Sequence, residues 1–331
     1  MKKIFLLALG FTFAILISEI SVRLLLEREE AGGNYWGLGA FIASDTVGYK
    51  QTPGFIGRAY HKGAFDCPVE ISPRGLRQKN LDSQLAQQRR VLLLGDSFAF
   101  GLGVQEASSF AALVQPKLNA RGMGIINGAQ TGYSVEQEVK LGRELISEYR
   151  PNLIILCLFP DNDFEGDYLK DYKNVDVRYG YRLKKNRFLR VMPVDFLRTH
   201  SYLWLLVQDQ LDARRGRKIR SVFRKKTKQN PLQVMESTFA ALIEFKHECA
   251  KQNIGIAIVL IPSKKIGQPF VEPLRNKLTS IQIPFLDLNL KNFDETDVFH
   301  VDGHWNERGH RKAAPYIAAF IESQLEESGA K

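Results

Sequence analysis

A serine at the end of an apolar strand and a histidine shortly after an aspartate could act as a nucleophile and its base. Ser97 ends the triplet Gly95-Asp96-Ser97, which follows the apolar run 91–94. In that position a serine can meet substrate with its backbone N–H free for a developing oxyanion. Near the other end stands Asp302-Gly303-His304-Trp305-Asn306-Glu307-Arg308-Gly309-His310. A carboxylate two residues before a histidine can orient the imidazole, as a serine-activating base requires. The chemistry would be acyl transfer: the serine attacks an ester carbonyl, and the imidazole takes its proton and returns it to the leaving alcohol. No cofactor is needed. Each part alone reads blandly, since Gly-Asp-Ser is a common turn and a lone histidine is more often structural.

Two further polar loops follow apolar runs, Asn127-Gly128-Ala129-Gln130-Thr131-Gly132-Tyr133 and Phe159-Pro160-Asp161-Asn162-Asp163. A glycine lets a backbone N–H approach an oxyanion closely, and an asparagine side chain can donate to the same oxygen. With these four loops the chain resembles the SGNH, or GDSL-type, hydrolases, named for blocks built on Ser, Gly, Asn and His. The resemblance runs from about residue 90 to 321. It implies Ser97 as nucleophile, His304 as base, and the Ser97 and Gly132 amides with the Asn162 side chain as oxyanion donors.

The chain departs from that pattern in two places. The family's acid usually stands three residues before the histidine, but position 301 is Val. Asp302, two before, resembles the variant of alginate O-acetyltransferase-like members, while Asp297, three before His300, is the alternative acid. We prefer Asp302 and His304, because only His304 is followed by the spacing of Asn306, Gly309 and His310. The third block carries Pro160 and Asp161 where the family commonly has Gly and a small residue. A metal reading of Asp297, His300, Asp302, His304 and His310 is set aside, because Gly303 opposes the helix that would align two histidines. Asp96 and Asp163 are expected to hold loops through backbone hydrogen bonds. Gly101-x-Gly103 does not continue as a dinucleotide loop, position 106 being Glu.

The elements that must position these loops alternate from residue 90 onward. Apolar runs at 91–94, 124–127, 153–159, 256–261 and 285–288 read as strands buried on both faces. Segments 109–120, 134–149, 231–252, 269–281 and 307–327 carry helical apolar spacing. The expected fold is α/β, a doubly wound, flavodoxin-like, mostly parallel five-stranded sheet with helices on both faces. Ligands of such sheets meet the carboxyl ends of strands. Residues 31–89 read as a small β-rich cap or leading segment, with β-like pieces at 57–60 and 68–71. The hydrolase domain is expected over 90–327, with an insertion at about 164–230 that is too long for an ordinary connection.

Lys2 and Lys3 precede an uncharged run from residue 4 to 18. Continued to Leu26 as a helix this reaches about 34 Å, enough for the roughly 30 Å hydrocarbon core. Glu19 and Arg23 lie four apart near one end, where they can pair. Without a small-x-small cleavage site, residues 1–30 are read as a retained signal anchor with the rest of the chain on the periplasmic or extracellular side.

The formal charge of +10 is mostly local, since nine Lys and Arg fall between 214 and 228. That run reads as a solvated face or as a contact to anionic lipid or an acidic polymer. No nucleic-acid role is expected. Cys67, Cys157 and Cys249 lack metal-site spacing; Cys157 reads as core, and a Cys67–Cys249 bridge is left open. Together these features point to a serine esterase acting on O-acylated glycan or lipid at the cell envelope. The alternatives are an envelope polysaccharide O-acyltransferase and a non-catalytic envelope-binding protein on a hydrolase fold.

Overall fold

A computed structural model of the chain describes residues 1–26, 36–37, 39–161, 163–164, 175–178, 181–184, 196–197, 200–207, 231–262 and 268–329. Asn162 and the basic run 214–228 lie outside the described residues.

Helix α1, Lys2–Leu25, is long and apolar enough to cross a membrane. Its 24 residues span about 36 Å. Its side chains are exposed except at Glu19 and Val22, which are half-buried. Two antiparallel hairpins follow: β1 (Phe41–Ser44) with β2 (Gly48–Gln51), and β3 (Ile56–His61) with β4 (Phe65–Glu70). The β-like pieces expected at 57–60 and 68–71 are the two arms of the second hairpin. These hairpins have no core of their own. Phe41, Tyr49, Ala59, Phe65 and Val69 are buried in one hydrophobic cluster with the sheet that follows.

That sheet contains β5 (Arg89–Gly95), β6 (Met123–Asn127), β7 (Leu153–Leu158), β10 (Gly255–Leu260) and β11 (Phe285–Asp287); between β7 and β10 lies the short hairpin β8 (Val175–Arg178) with β9 (Tyr181–Lys184). All sheet pairings are parallel, in the order β11-β10-β7-β5-β6. The strands are nearly continuous apolar runs because both faces are covered. The helices are α2 (Leu81–Leu85), α3 (Ser97–Phe100), α4 (Phe110–Leu113), α5 (Gln115–Asn119), α6 (Val135–Tyr149), α7 (Pro231–Lys251), α8 (Gln268–Ser280) and α9 (Glu307–Gly329). Helices α6 and α7 pack on each other, and α9 packs on α4 and α5, giving the sheet a helical layer on either face. The chain order reverses between β5 and β7, so the crevice at their carboxyl ends is where ligands of this architecture bind.

Two expectations change. The single helix expected over 109–120 is two, because Pro116 sits in the first turn of α5, where its missing N–H costs nothing but cannot continue α4. The Cys67–Cys249 bridge is absent: all three cysteines are free and buried, and burial pushes each thiol up, Cys249 to about 12. Such thiols are poor nucleophiles.

Candidate active site

Strand β5 ends at Gly95 with φ +155°, and α3 begins two residues later. A Cβ at Gly95 would lie 2.7 Å from the Ala99 Cβ and 3.0 Å from the Cys157 Cβ, so the chain turns here only without a side chain. Gly95→Ala is expected to cost about 2 kcal/mol or more in urea unfolding. Asp96 caps α3, its Oδ1 accepting from the Phe98 N–H at 2.9 Å. At the other end of α3, Arg77 is 2 % exposed and donates to the carbonyls of Phe100, Gly101 and Val104. A buried guanidinium thus holds the chain as it leaves the helix that carries Ser97, on the side where its carbonyls carry partial negative charge.

Ser97 stands at the first position of α3, 5 % exposed. Its Oγ lies 2.7 Å from His304 Nε2 and 3.4 Å from Asp96 Oδ2, so the imidazole is the stronger partner for the hydroxyl proton. His304 Nδ1 is hydrogen-bonded to Asp302 Oδ1, which also accepts from the His304 N–H at 3.1 Å. With Nδ1–H donated to the carboxylate, Nε2 is left bare to accept from Ser97. The Asp302 side chain is 2 % exposed and the His304 side chain 17 %, which keeps the carboxylate dry while the imidazole edge reaches solvent.

The loop carrying these two residues is held on both sides. Val298 and Trp305 form a β-bridge, and Phe299 N–H donates to the His304 carbonyl at 2.8 Å. Asn306 caps α9, its Oδ1 accepting from Arg308 and Gly309 N–H. Gly309 is required by proximity, since a Cβ there would lie 2.2 Å from the Asp297 carbonyl. Trp305 is buried against Phe293, Phe98 and Phe110, and the Phe98 ring lies 5.1 Å from the His304 ring. Asp297 does other work. Its Oδ2 binds Lys312 Nζ at 2.7 Å and accepts from the Asp294 N–H at 3.0 Å. The carboxylate facing the imidazole is Asp302.

His310 is buried beside this loop, stacked on Phe110, with Nδ1 accepting from the Phe110 N–H at 3.2 Å. Burial, then the charges of Arg77 and His304, lowers its pKa from 6.5 to about 3. A base with a depressed native pKa takes its proton more readily in the unfolded chain. Its contribution is therefore intact above pH 6.5 and is lost as pH falls toward 3. His310→Asn keeps an acceptor for Phe110 and does not titrate. Its melting temperature is expected to fall less steeply than the wild type's between pH 6.5 and 4, even if it is less stable at pH 8, a comparison that calorimetry makes directly.

The loop after β6 is tied to the end of β5 by the Gln130 N–H, which donates to the Gly95 carbonyl at 3.0 Å. Gly132 has φ +72°. Among the described residues, neither the Ser97 nor the Gly132 N–H has a hydrogen-bond partner. The leading hairpin braces this loop. Tyr49 Oη donates to the carbonyls of Thr131 and Gly132, both at 2.9 Å, and the Gln51 N–H donates to Gln130 Oε1 at 2.9 Å. Sequence reasoning did not single out Tyr49, Gln51 or Arg77. In the turn after β7, Asp163 Oδ2 accepts from the Phe159 N–H at 2.6 Å, while Asn162 itself lies outside the described residues.

No family model matches the chain, and no curated protein matches it. Solved structures do. The psychrotrophic esterase EstA from Pseudoalteromonas sp. is 13 % identical with a TM-score of 0.41, covering 74 % of this chain and 100 % of its own. The lipase/acylhydrolase from Enterococcus faecalis is 16 % identical with a TM-score of 0.41, covering 71 % and 96 %. A GDSL-like lipase from Bacteroides thetaiotaomicron is 11 % identical with a TM-score of 0.40, covering 74 % and 96 %.

Proposed function

We propose that the chain is a membrane-tethered serine esterase of SGNH type, acting through an acyl-enzyme on O-acylated glycan or lipid at the outer face of the cytoplasmic membrane. The observation that carries this reading is the hydrogen-bonded series Ser97, His304, Asp302, with 2.7 Å between nucleophile and base. Ser97 attacks the ester carbonyl as Nε2 takes its proton. The resulting imidazolium is stabilised by Asp302 and then protonates the leaving alcohol. Water attacks the acyl-enzyme by the same steps in reverse.

The oxyanion of each tetrahedral intermediate is received by the Ser97 and Gly132 N–H groups, with the Asn162 side chain as the third donor carried over from the family resemblance. Helix α1 holds the enzyme in the membrane, and the basic run 214–228 contacts anionic lipid or polymer. The Asp302-x-His304 spacing keeps open one variant of the reading, in which a sugar hydroxyl replaces water as acceptor and the enzyme is an O-acyltransferase.

The full chain in detergent is expected to hydrolyse p-nitrophenyl acetate and to be labelled by a fluorophosphonate at Ser97, as located by mass spectrometry. Folded protein that is neither labelled nor active would overturn the proposal in favour of a binding role. Tyr49→Phe is expected to lower kcat about tenfold with little change in KM, because freeing the Gly132 peptide loosens a donor used mainly in the transition state. An unchanged kcat would remove Gly132 from the oxyanion site.

A further inference from the structure

A carboxylate in a membrane-spanning helix needs partners, and Glu19 has a complete set. Its Oε1 accepts from Arg23 Nε at 2.7 Å and the Tyr202 N–H at 2.9 Å; its Oε2 accepts from Ser201 Oγ at 2.7 Å and the Leu203 N–H at 3.0 Å. Four donors fill the four acceptor sites of the carboxylate. Three of them come from the insertion, at the start of the helical segment 202–207. The contact is reinforced by Arg23, whose guanidinium donates to the His200 carbonyl and lies 4.7 Å from the centre of the Tyr202 ring.

This tie fixes a depth. Glu19 lies six positions before Leu25, the last residue of α1, or about 9 Å of helix. Groups bonded to Glu19 therefore sit about 9 Å below the outer end of the apolar helix, the level where interfacial helices embed. The segment suits that level. Tyr202-Leu203-Trp204-Leu205-Leu206-Val207 has no charge; Leu205 is buried, Val207 and the nearby Phe196 are exposed, and the rest are half-buried. Tyr and Trp are the aromatic residues enriched where acyl chains meet headgroups.

We infer that residues 196–197 and 200–207 form a second membrane contact, embedded at the headgroup–acyl boundary of the outer leaflet and latched to α1 by Glu19. The inference rests on the reading of α1 as a retained span. In it Glu19 is a binding group for the insertion, and the partner of the apolar surface is lipid.

Tryptophan fluorescence tests this on the full chain reconstituted in phosphatidylcholine vesicles with brominated acyl chains. Of the three tryptophans, Trp36 and Trp305 are buried in the folded domain, which leaves Trp204 to report on lipid. Wild type is expected to be quenched and to resist alkaline extraction, and Trp204→Phe to lose most of the quenching. Glu19→Ala is expected to stay in the alkali-resistant fraction while Trp204 is quenched less. Release of wild type by alkali overturns the anchor and the inference with it. Retention with equal quenching of wild type and Trp204→Phe overturns the interfacial contact alone, and full quenching in Glu19→Ala overturns the latch.

Discussion

Ser97→Ala is expected to abolish ester hydrolysis and fluorophosphonate labelling while leaving the fold intact. The hydroxyl makes its two hydrogen bonds within the site, to His304 and Asp96, so its removal deletes the attacking atom without opening the core. The loss in kcat should be on the order of 10⁶, the scale seen when a serine nucleophile is removed from a working triad. Circular dichroism and thermal melting should match wild type within a few degrees, as expected of a change worth under about 1 kcal/mol. A variant that keeps more than about a hundredth of the wild-type rate would place the nucleophile elsewhere.

Asp302→Asn is expected to lower kcat by about 10³ to 10⁴. An amide nitrogen facing Nδ1 favours the tautomer with the proton on Nε2, where it points at Ser97 and cannot receive another. Geometry is conserved and the base is disabled. Asp297→Asn should behave oppositely. Asp297 neutralises Lys312 and caps its own turn, and it makes no bond to an imidazole that would couple it to Ser97. The variant should lose about 2 kcal/mol of stability, because the buried acceptor of the half-buried Lys312 ammonium loses its charge, and near-wild-type kcat should remain at low temperature. Steady-state kinetics and urea unfolding of both variants separate a base-orienting carboxylate from a structural one. Loss of kcat in Asp297→Asn with full activity in Asp302→Asn would reverse the assignment.

The sheet was legible because its strands are short, mainly apolar runs whose few polar residues, Arg89, Arg90, Asn127 and Asp287, stand at their ends, and each expected strand lies within two residues of the observed one. The stop in the helix at 109–120 was also in view, in Pro116, but the apolar spacing ran through it and prevailed. The pairing of Ser97 with His304 was legible for a different reason. Composition and periodicity say nothing about a contact between positions 97 and 304; only the family pattern joins them, and the geometry then brings Ser97 and His304 to 2.7 Å.

Tyr49 and Arg77 were not legible, because much of what they hold is main-chain carbonyl, which every residue carries and no sequence pattern marks, and Gln51 was not because it holds Gln130 through its own main-chain N–H. Glu19 and Arg23 were read as a tolerated pair within one helix. Their other partners at 200–203 lie beyond any local window. Asn162 and the basic run 214–228 lie outside the described residues, and their roles stay with the proposal.

Ser97 and His304 stand 207 residues apart. On the proposed function, a chain made and exported from its N-terminus would carry Ser97 and the Arg77 clamp across the membrane well before His304 arrives. Until the last loop docks, Ser97 would have no base, and the unfinished protein would be chemically silent. On that reading esters at the membrane surface are spared by the emerging polypeptide, and activity begins only when the final helix closes on the sheet.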